Sequence, residues 1–379
     1  GHCARPSLSP MQAMALYVDH TSRFAHNTGI QRCVRATARA LLELGIELQP
    51  VVWDRHQHDF ALASSEQRQH LNRFGGPPAA GWCDTAEPAW LLIIELVRGG
   101  NNPTAQQLRQ AADRRGWRVA WVVHDTLPLR WDPEPMRSDH ARYLQGLALF
   151  ERVLANSRAT AAELRQLFDR WELPAPPIVP LPLAQELPAA AALSVEAAPF
   201  AVDAPLQLLC VSSLEPRKNH RGLLKAMAWL MAQGRWLGQL TLVGWDHDQA
   251  VAALVRRALA LGLPLQWLQG VDDDQLAKLL RCAHICVYPS VEEGFGLPVA
   301  EALQHGKPCL CSGSGALGEL ASAGGCLSVD TADWRSIAAG LDQLLHDAGL
   351  REKLGKQALA RPVRSWRTYA QELLERLQG

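Results

Sequence analysis

Short apolar runs alternate with longer helix-patterned segments along most of the chain, and this rhythm limits the fold more than any other feature. Residues 13–18 (Ala13-Met-Ala-Leu-Tyr-Val18) read as a strand, followed by a loop and a helix over about 30–44. Gly45 ends that helix, and 46–53 reads as the next strand. Further strands are expected at 89–95, 117–123, 152–155, 206–211 and 285–290. Near-continuous apolar strands separated by helices predict parallel sheets covered by helices on both faces. Residues 60–88 carry no clear pattern.

The chain has 379 residues, enough for two ordinary domains. Residues 174–205 break the rhythm with Pro176, Pro177, Pro180, Pro182, Pro188, Pro199 and Pro205. Such a segment continues neither helix nor sheet, so it reads as a connection. The expected division is a tag and flexible lead at 1–12, a first α/β domain at 13–185, an Ala/Pro-rich linker at 186–204 and a second α/β domain at 205–360. An amphipathic helix at 361–379 closes the chain.

Lys plus Arg and Asp plus Glu both number 38, so the net charge is zero, which argues against nucleic acid as the main partner. No apolar run is long enough to span a bilayer, and no secretory signal pattern opens the chain. The nine cysteines include no C-x-x-C pair and mostly sit in apolar runs. They read as small core residues in a reducing compartment, with no spacing suited to zinc. The expected location is the cytoplasm.

The chemistry concentrates in Glu293-Gly-Phe-Gly-Leu-Pro-Val-Ala-Glu301. A loop that runs into a helix presents unpaired backbone N–H groups, a natural seat for phosphate. Gly294 and Gly296 let the backbone approach a ligand closely. Carboxylates on either side can hold hydroxyls, and hydroxyl, phosphate, hydroxyl outlines a nucleotide sugar. Upstream, Ser212-Ser-Leu-Glu-Pro-Arg-Lys-Asn219 lies between an apolar strand and a helix. Its Arg217 offers a planar fork for phosphate oxygens and Lys218 a point charge.

Glu-x7-Glu around Gly-Phe-Gly-Leu-Pro, preceded by this basic loop, resembles the signature of retaining glycosyltransferases of the GT-B fold, family 4 (glycosyl transferases group 1, bacterial mannosyltransferase-like). The resemblance implies an α/β, GT-B architecture: two Rossmann-like domains with parallel sheets facing across a cleft, and a C-terminal helix crossing back to the first domain. It implies that Arg217 and Lys218 grip the donor diphosphate, with the amides of Phe295, Gly296 and Leu297 and the helix dipole adding to that stabilisation. Glu301 would accept from ribose hydroxyls, Glu293 would bind the donor sugar, and backbone near Val271 would meet the base. In the first domain, Asn27-Thr28-Gly29-Ile30-Gln31-Arg32 is similar to the family's glycine loop, where Gly29 leaves room for donor and acceptor; Thr28 stands where the family often has another glycine. His124, in Val122-Val-His124-Asp125-Thr-Leu-Pro128, is implied beside the transferred sugar. Glu319 holds a recurrent acidic position, and Ser157 reads as a helix N-cap.

Two matches to other motifs read as structural. Gly313-Ser-Gly315-Ala-Leu-Gly318 has the spacing G-x-G-x-x-G, but Gly324-Gly325 interrupts within a few residues, too soon for a dinucleotide-binding helix. Asp272-Asp273-Asp274 imitates a metal-holding triplet, but it opens a helix, where carboxylates serve as caps and dipole partners. No cofactor and no metal are expected. The donor would be a GDP- or UDP-sugar, mannose first, and the acceptor a saccharide or lipid-linked saccharide of bacterial surface polysaccharide assembly such as O-antigen. No acid of the first domain stands out as a nucleophile, which favours front-face transfer. Another GT-B enzyme, such as a sugar-nucleotide hydrolase, epimerase or phosphorylase-like protein, or a non-catalytic binding module, stays open. So does a peripheral contact with the inner membrane, for which Arg32, Arg35 and Arg39 on the first helix are the hint.

Overall fold

A computed structural model describes residues 11–187 and 204–379. Most of the lead expected at 1–12 and of the linker expected at 186–204 lies outside the described residues. Two compact units emerge: Gly1–Ala184 with Arg364–Gly379, and Gln185–Val363.

The first unit contains β1 (Ala13–Tyr17), α1 (Asp19–Arg23), α2 (Gly29–Glu43), β2 (Glu47–Asp54), β3 (Asp59–Leu62), α3 (Ser65–Leu71), β4 (Trp90–Ile93), α4 (Ala105–Arg114), β5 (Arg118–Val123), α5 (Pro128–Trp131), α6 (Met136–Gly146), β6 (Arg152–Ala155), α7 (Arg158–Arg170) and β7 (Ile178–Pro180). Its seven strands lie in the order β3-β2-β1-β4-β5-β6-β7. All pair in parallel except β3, which runs antiparallel to β2. β1 and β4 are buried on both faces, which is why their sequences are apolar without alternation. One face packs on an aromatic-rich core that includes Tyr17, Trp53, Phe60, Trp117 and Trp121. The stretch at 60–88, patternless in sequence, holds the end of β3, all of α3 and a 3-10 turn at Ala79–Gly81.

The second unit contains β8 (Leu206–Val211), α8 (His220–Ala232), β9 (Gly238–Val243), α9 (Gln249–Ala260), β10 (Leu265–Leu268), α10 (Asp273–Cys282), β11 (Ile285–Tyr288), α11 (Leu297–Gln304), β12 (Cys309–Ser312), α12 (Gly315–Ala321), β13 (Cys326–Val329), α13 (Trp334–His346) and α14 (Ala348–Ala360). Its six strands are ordered β10-β9-β8-β11-β12-β13, all paired in parallel. The strand order reverses between β8 and β11. In doubly wound sheets ligands bind outside the carboxyl ends of strands at such a reversal.

The last helix, α15 (Trp366–Gln378), belongs to the first unit. It buries Tyr369, Ala370, Leu373 and Leu377, and it packs on α2. Arg364 fixes its start by donating to the Pro182 carbonyl at 2.9 Å and pairing with both oxygens of Glu372.

Eight cysteines are described and all are free thiols; Cys33, Cys210, Cys286, Cys309 and Cys311 are buried. α12 has seven residues and β13 follows it closely, so the G-x-G-x-x-G spacing at 313–318 opens no long helix. Asp272 caps α10, accepting from the Gln275 amide at 2.8 Å, while the Gln275 side chain accepts from the Asp272 amide.

Candidate active site

β8 and β11 are neighbours, so the loops that follow them meet at the reversal point of the second sheet. After β8, Pro216–Lys218 forms a single 3-10 turn. Asn219 then takes a left-handed φ of 58° and caps α8. Asn tolerates that conformation better than most residues. Its amide also joins three segments. Nδ2 donates to Pro289 O at 3.2 Å and Thr331 O at 2.7 Å, while Oδ1 accepts from Gly222 N at 3.1 Å. Val291 N donates to Arg217 O at 3.0 Å, closing the contact between the two loops.

These bonds bring Arg217, Lys218 and Glu293 together. Lys218 Nζ donates to Glu293 Oε1 at 2.5 Å, and Arg217 Nη1 donates to Glu293 Oε2 and to the Glu292 carbonyl at 3.0 and 2.9 Å. The three side chains are only 13–16% exposed. Burial alone would raise the Glu293 carboxyl, but the Lys218 and Arg217 charges outweigh it and hold the group below its ordinary value. Glu293, read in sequence as a sugar-binding residue, is thus the counter-ion of the two cations read as the diphosphate grip.

The glycine loop then turns into α11. Gly296 is the N-cap with φ 97°, and a Cβ there would lie 2.6 Å from Leu317. Only glycine makes this turn without strain. Pro298 in the first turn needs no amide partner. The first amides of α11 therefore point out at the same sheet edge as Arg217 and Lys218. Phe295 and Leu297 are half-buried around Gly296, and Glu301 lies one turn into α11, half-buried. Val271 is half-buried after Gly270, at the end of β10.

Gly29 and His124 belong to the first unit. Gly29 opens α2, with Thr28 as N-cap and its amide donating to Gln31 Oε1 at 2.9 Å. Arg35 pins the loop before it. Nη1 donates to His26 O and Asn27 Oδ1 at 3.1 and 2.9 Å, while Nε and Nη2 donate to His70 O. Arg35 is 1% exposed, and Arg39 pairs with Glu43. Arg35, buried in this way, cannot meet a lipid surface and drops out of the membrane hint, whereas the Arg39 side chain is 56% exposed.

His124 follows β5 with both ring nitrogens engaged, Nε2 at 2.7 Å from Ile94 O and Nδ1 at 2.8 Å from Asn156 Nδ2. A carbonyl only accepts and an amide nitrogen only donates, so the ring is the neutral Nε2–H tautomer. Burial lowers its basicity, against smaller opposing effects from Ile94 and Asp125. Asp125 caps the next turn through the Leu127 amide at 3.1 Å. Ser157 caps α7 through the Thr160 amide.

Two acids of the first unit had escaped sequence reasoning. Glu95 follows β4 and is 1% exposed; it accepts from the His20 amide at 2.8 Å and the Thr21 amide at 3.1 Å. Burial pushes its carboxyl up to about 8. Asp19 follows β1, accepts from Trp53 N at 3.1 Å and pairs with Arg23. Both carboxylates are occupied in holding α1. The signal was available as a charged residue ending an all-apolar strand run.

Among the described residues no cluster of His, Cys, Asp or Glu could hold a metal ion, and no helix is long and apolar enough to cross a membrane. A cavity of about 800 Å³ lies at the amino ends of β8 and β9, lined by Pro205, Met231, Trp236 and Arg351. Arg351 there donates to the Leu344 and Leu345 carbonyls.

Two doubly wound parallel α/β units with a basic and glycine-rich strand-end site define a GT-B fold. Residues 197–361 match the family model "Glycosyl transferases group 1". The chain is 37% identical over 161 residues to O-antigen chain mannosyltransferase B of Escherichia coli, covering 42% of each protein. It is 29% identical over 307 residues to the serotype-specific mannosyltransferase WbdA of Escherichia coli, covering 75% of this chain and 36% of that one. The chain thus spans less than half the length of these relatives. In fold it resembles sucrose-phosphate synthase from Thermosynechococcus elongatus, with a TM-score of 0.69 at 18% identity over 97% of this chain and 98% of that one.

Proposed function

We propose that the chain is a retaining glycosyltransferase that moves mannose from GDP-mannose to a saccharide or lipid-linked acceptor of bacterial surface polysaccharide assembly. The observation that carries this reading is the Arg217–Lys218–Glu293 cluster beside the start of α11, at the reversal point of the second sheet. The two mannosyltransferase relatives, one of them named for the O-antigen chain, support the choice of sugar and acceptor.

In this reading the donor diphosphate takes over the cations that Glu293 now neutralises. Arg217, Lys218 and the first amides of α11 stabilise the charge that grows on the leaving phosphate. The released Glu293 carboxylate turns to the sugar hydroxyls, and Glu301 holds the ribose. These groups supply the positive field that a divalent metal would otherwise supply, so transfer proceeds without one. His124, neutral, serves the sugar as a positioning group of the first unit, which takes the acceptor. The leaving phosphate removes the acceptor proton in front-face transfer. The work is done in the cytoplasm.

A thermal-shift panel of GDP, UDP, ADP, their sugars and orthophosphate tests the donor, followed by a transfer assay with labelled GDP-mannose. Stabilisation by a nucleoside diphosphate is expected. Stabilisation by orthophosphate alone would turn the reading towards a phosphorylase-like enzyme.

A further inference from the structure

Trp245 lies two residues past the end of β9 and is 58% exposed, the most exposed of the thirteen tryptophans. A large aromatic face held in water in a fastened loop is open to stacking by a planar ligand. Its backbone is fastened on both sides. Leu214 N donates to Trp245 O at 2.8 Å, and Asp248 N donates to Leu214 O at 2.9 Å, so the Trp245 loop is tied to the loop that bears Arg217 and Lys218. On the other side Gly244 N donates to Leu268 O, and Trp267 Nε1 donates to Gly244 O at 2.9 Å. The indole reaches across the end of β10: a Cβ on Gly270 would lie 3.5 Å from Trp245 Cη2 and 3.6 Å from Cζ2.

The order of groups along this sheet edge follows from the strand order β10-β9-β8-β11. It runs from the bare backbone of Gly270, through the exposed indole of Trp245, to the Arg217–Lys218 cations and the start of α11. Adjacent strands are ~4.8 Å apart, so a flat aromatic surface lies one strand from two cations. A nucleoside diphosphate has this layout, with a planar base at one end and a diphosphate at the other. The charges beside Trp245 argue against a lipid surface. Asp246 pairs with Arg256, and Asp248 caps α9 through the Val251 amide; an indole flanked by two carboxylates suits no anionic membrane.

We propose that Trp245 is the platform on which the base of the donor nucleotide stacks, and that its two-ring face selects a purine. This rests on the reading of Arg217 and Lys218 as the diphosphate grip. Base–aromatic stacking is sequence-tolerant, but it strengthens with the area of overlap. An indole therefore gains more from guanine or adenine than from uracil.

Calorimetry with GDP, UDP and inorganic pyrophosphate on the full chain tests this, using wild type, Trp245→Phe and Trp245→Ala, with melting temperature as a check on folding. Trp245→Ala is expected to weaken GDP binding by roughly 10- to 100-fold, with a smaller loss for UDP. Trp245→Phe should keep most of the affinity, and pyrophosphate should bind all three proteins alike. Unchanged GDP affinity in Trp245→Ala overturns the stacking role. So does an equal loss for pyrophosphate, which would mean a deformed phosphate loop. Wild type that prefers UDP to GDP overturns the purine selection. Wild type that binds none of the three overturns the donor-site reading, and this inference with it.

Discussion

The Lys218 ammonium donates to the Glu293 carboxylate at 2.5 Å, and Arg217 holds the other oxygen of the same carboxylate at 3.0 Å. All three side chains are mostly buried, and Glu215 lies 3.6 Å from Arg217 Nη2 as a second carboxylate. Removing Glu293 would take a shared carboxylate from both cations, and breaking a buried pair costs ~3–5 kcal/mol. Glu293→Gln is therefore expected to lower the melting temperature of the ligand-free protein. A nucleoside diphosphate should restore more of it in the variant than it adds to wild type, because the phosphates replace the lost anion. Thermal shifts at saturating GDP or UDP measure both effects. Equal shifts in the two proteins would mean that the diphosphate does not meet these cations.

Lys218 sits in a single 3-10 turn rather than in the core of a helix or strand. Lys218→Ala should leave the fold intact while cutting transfer by roughly two to three orders of magnitude, as for other preorganised charge stabilisers. Full turnover in a folded Lys218→Ala protein would remove the leaving-group role.

Asn219 separates backbone need from side-chain need. Its φ of 58° suits glycine, but glycine cannot reach Pro289 and Thr331. Asn219→Gly keeps the turn and loses the clamp between the loops after β8, β11 and β13. We expect it to fold and to raise the dissociation constant for nucleoside diphosphate several-fold. Asn219→Ala should also lose stability, by ~1 kcal/mol or more, from strain in the left-handed region. If Asn219→Gly binds as wild type does, the clamp has no part in positioning the cations.

Much of this site was legible because its chemistry is contiguous in sequence. Gly296 lies between Phe295 and Leu297 on the page and in space, and strand-end loops are short enough for motif and element to coincide. The sheets were legible because β1, β4, β8 and β11 are buried on both faces and read as apolar runs. What escaped reading depended on distant partners. α3 buries only Leu71 and β3 is a four-residue edge strand, so neither carries enough apolar period to be seen. Arg35 looked like a surface cation because nothing local shows that His26, Asn27 and His70 converge on it. The pairing of Glu293 with Lys218 spans 75 residues, and only the adjacency of β8 and β11 creates it.

Metal chelation gives a further outcome. Asp272 already caps α10, so Asp272→Ala should cost ~1 kcal/mol of stability while leaving transfer nearly unchanged. EDTA should likewise leave turnover nearly unchanged. Strict dependence on a divalent cation, lost in Asp272→Ala or Asp274→Ala, would assign the acidic triplet a catalytic ion.

Glu95 yields a prediction in pH. Its carboxyl is pushed up to about 8 by burial, from an ordinary value of 4.5, with Asp19 adding to the rise while the Thr21 and His20 amides and Arg23 oppose it. Between those values the folded protein keeps a proton that the unfolded chain releases. The stabilising contribution is therefore complete below pH 4.5 and is lost as pH rises through 8. Glu95→Gln keeps a carbonyl oxygen for the His20 and Thr21 amides and cannot ionise. Its stability relative to wild type should rise with pH across this window, by at most about 1.4 kcal/mol per pH unit, and level off above pH 8. Other titrating groups are common to both proteins and cancel in the difference. Melting temperatures of the pair from pH 5 to pH 9 read the effect directly. Parallel curves would show that Glu95 is ionised throughout, with the His20 and Thr21 amides outweighing its burial.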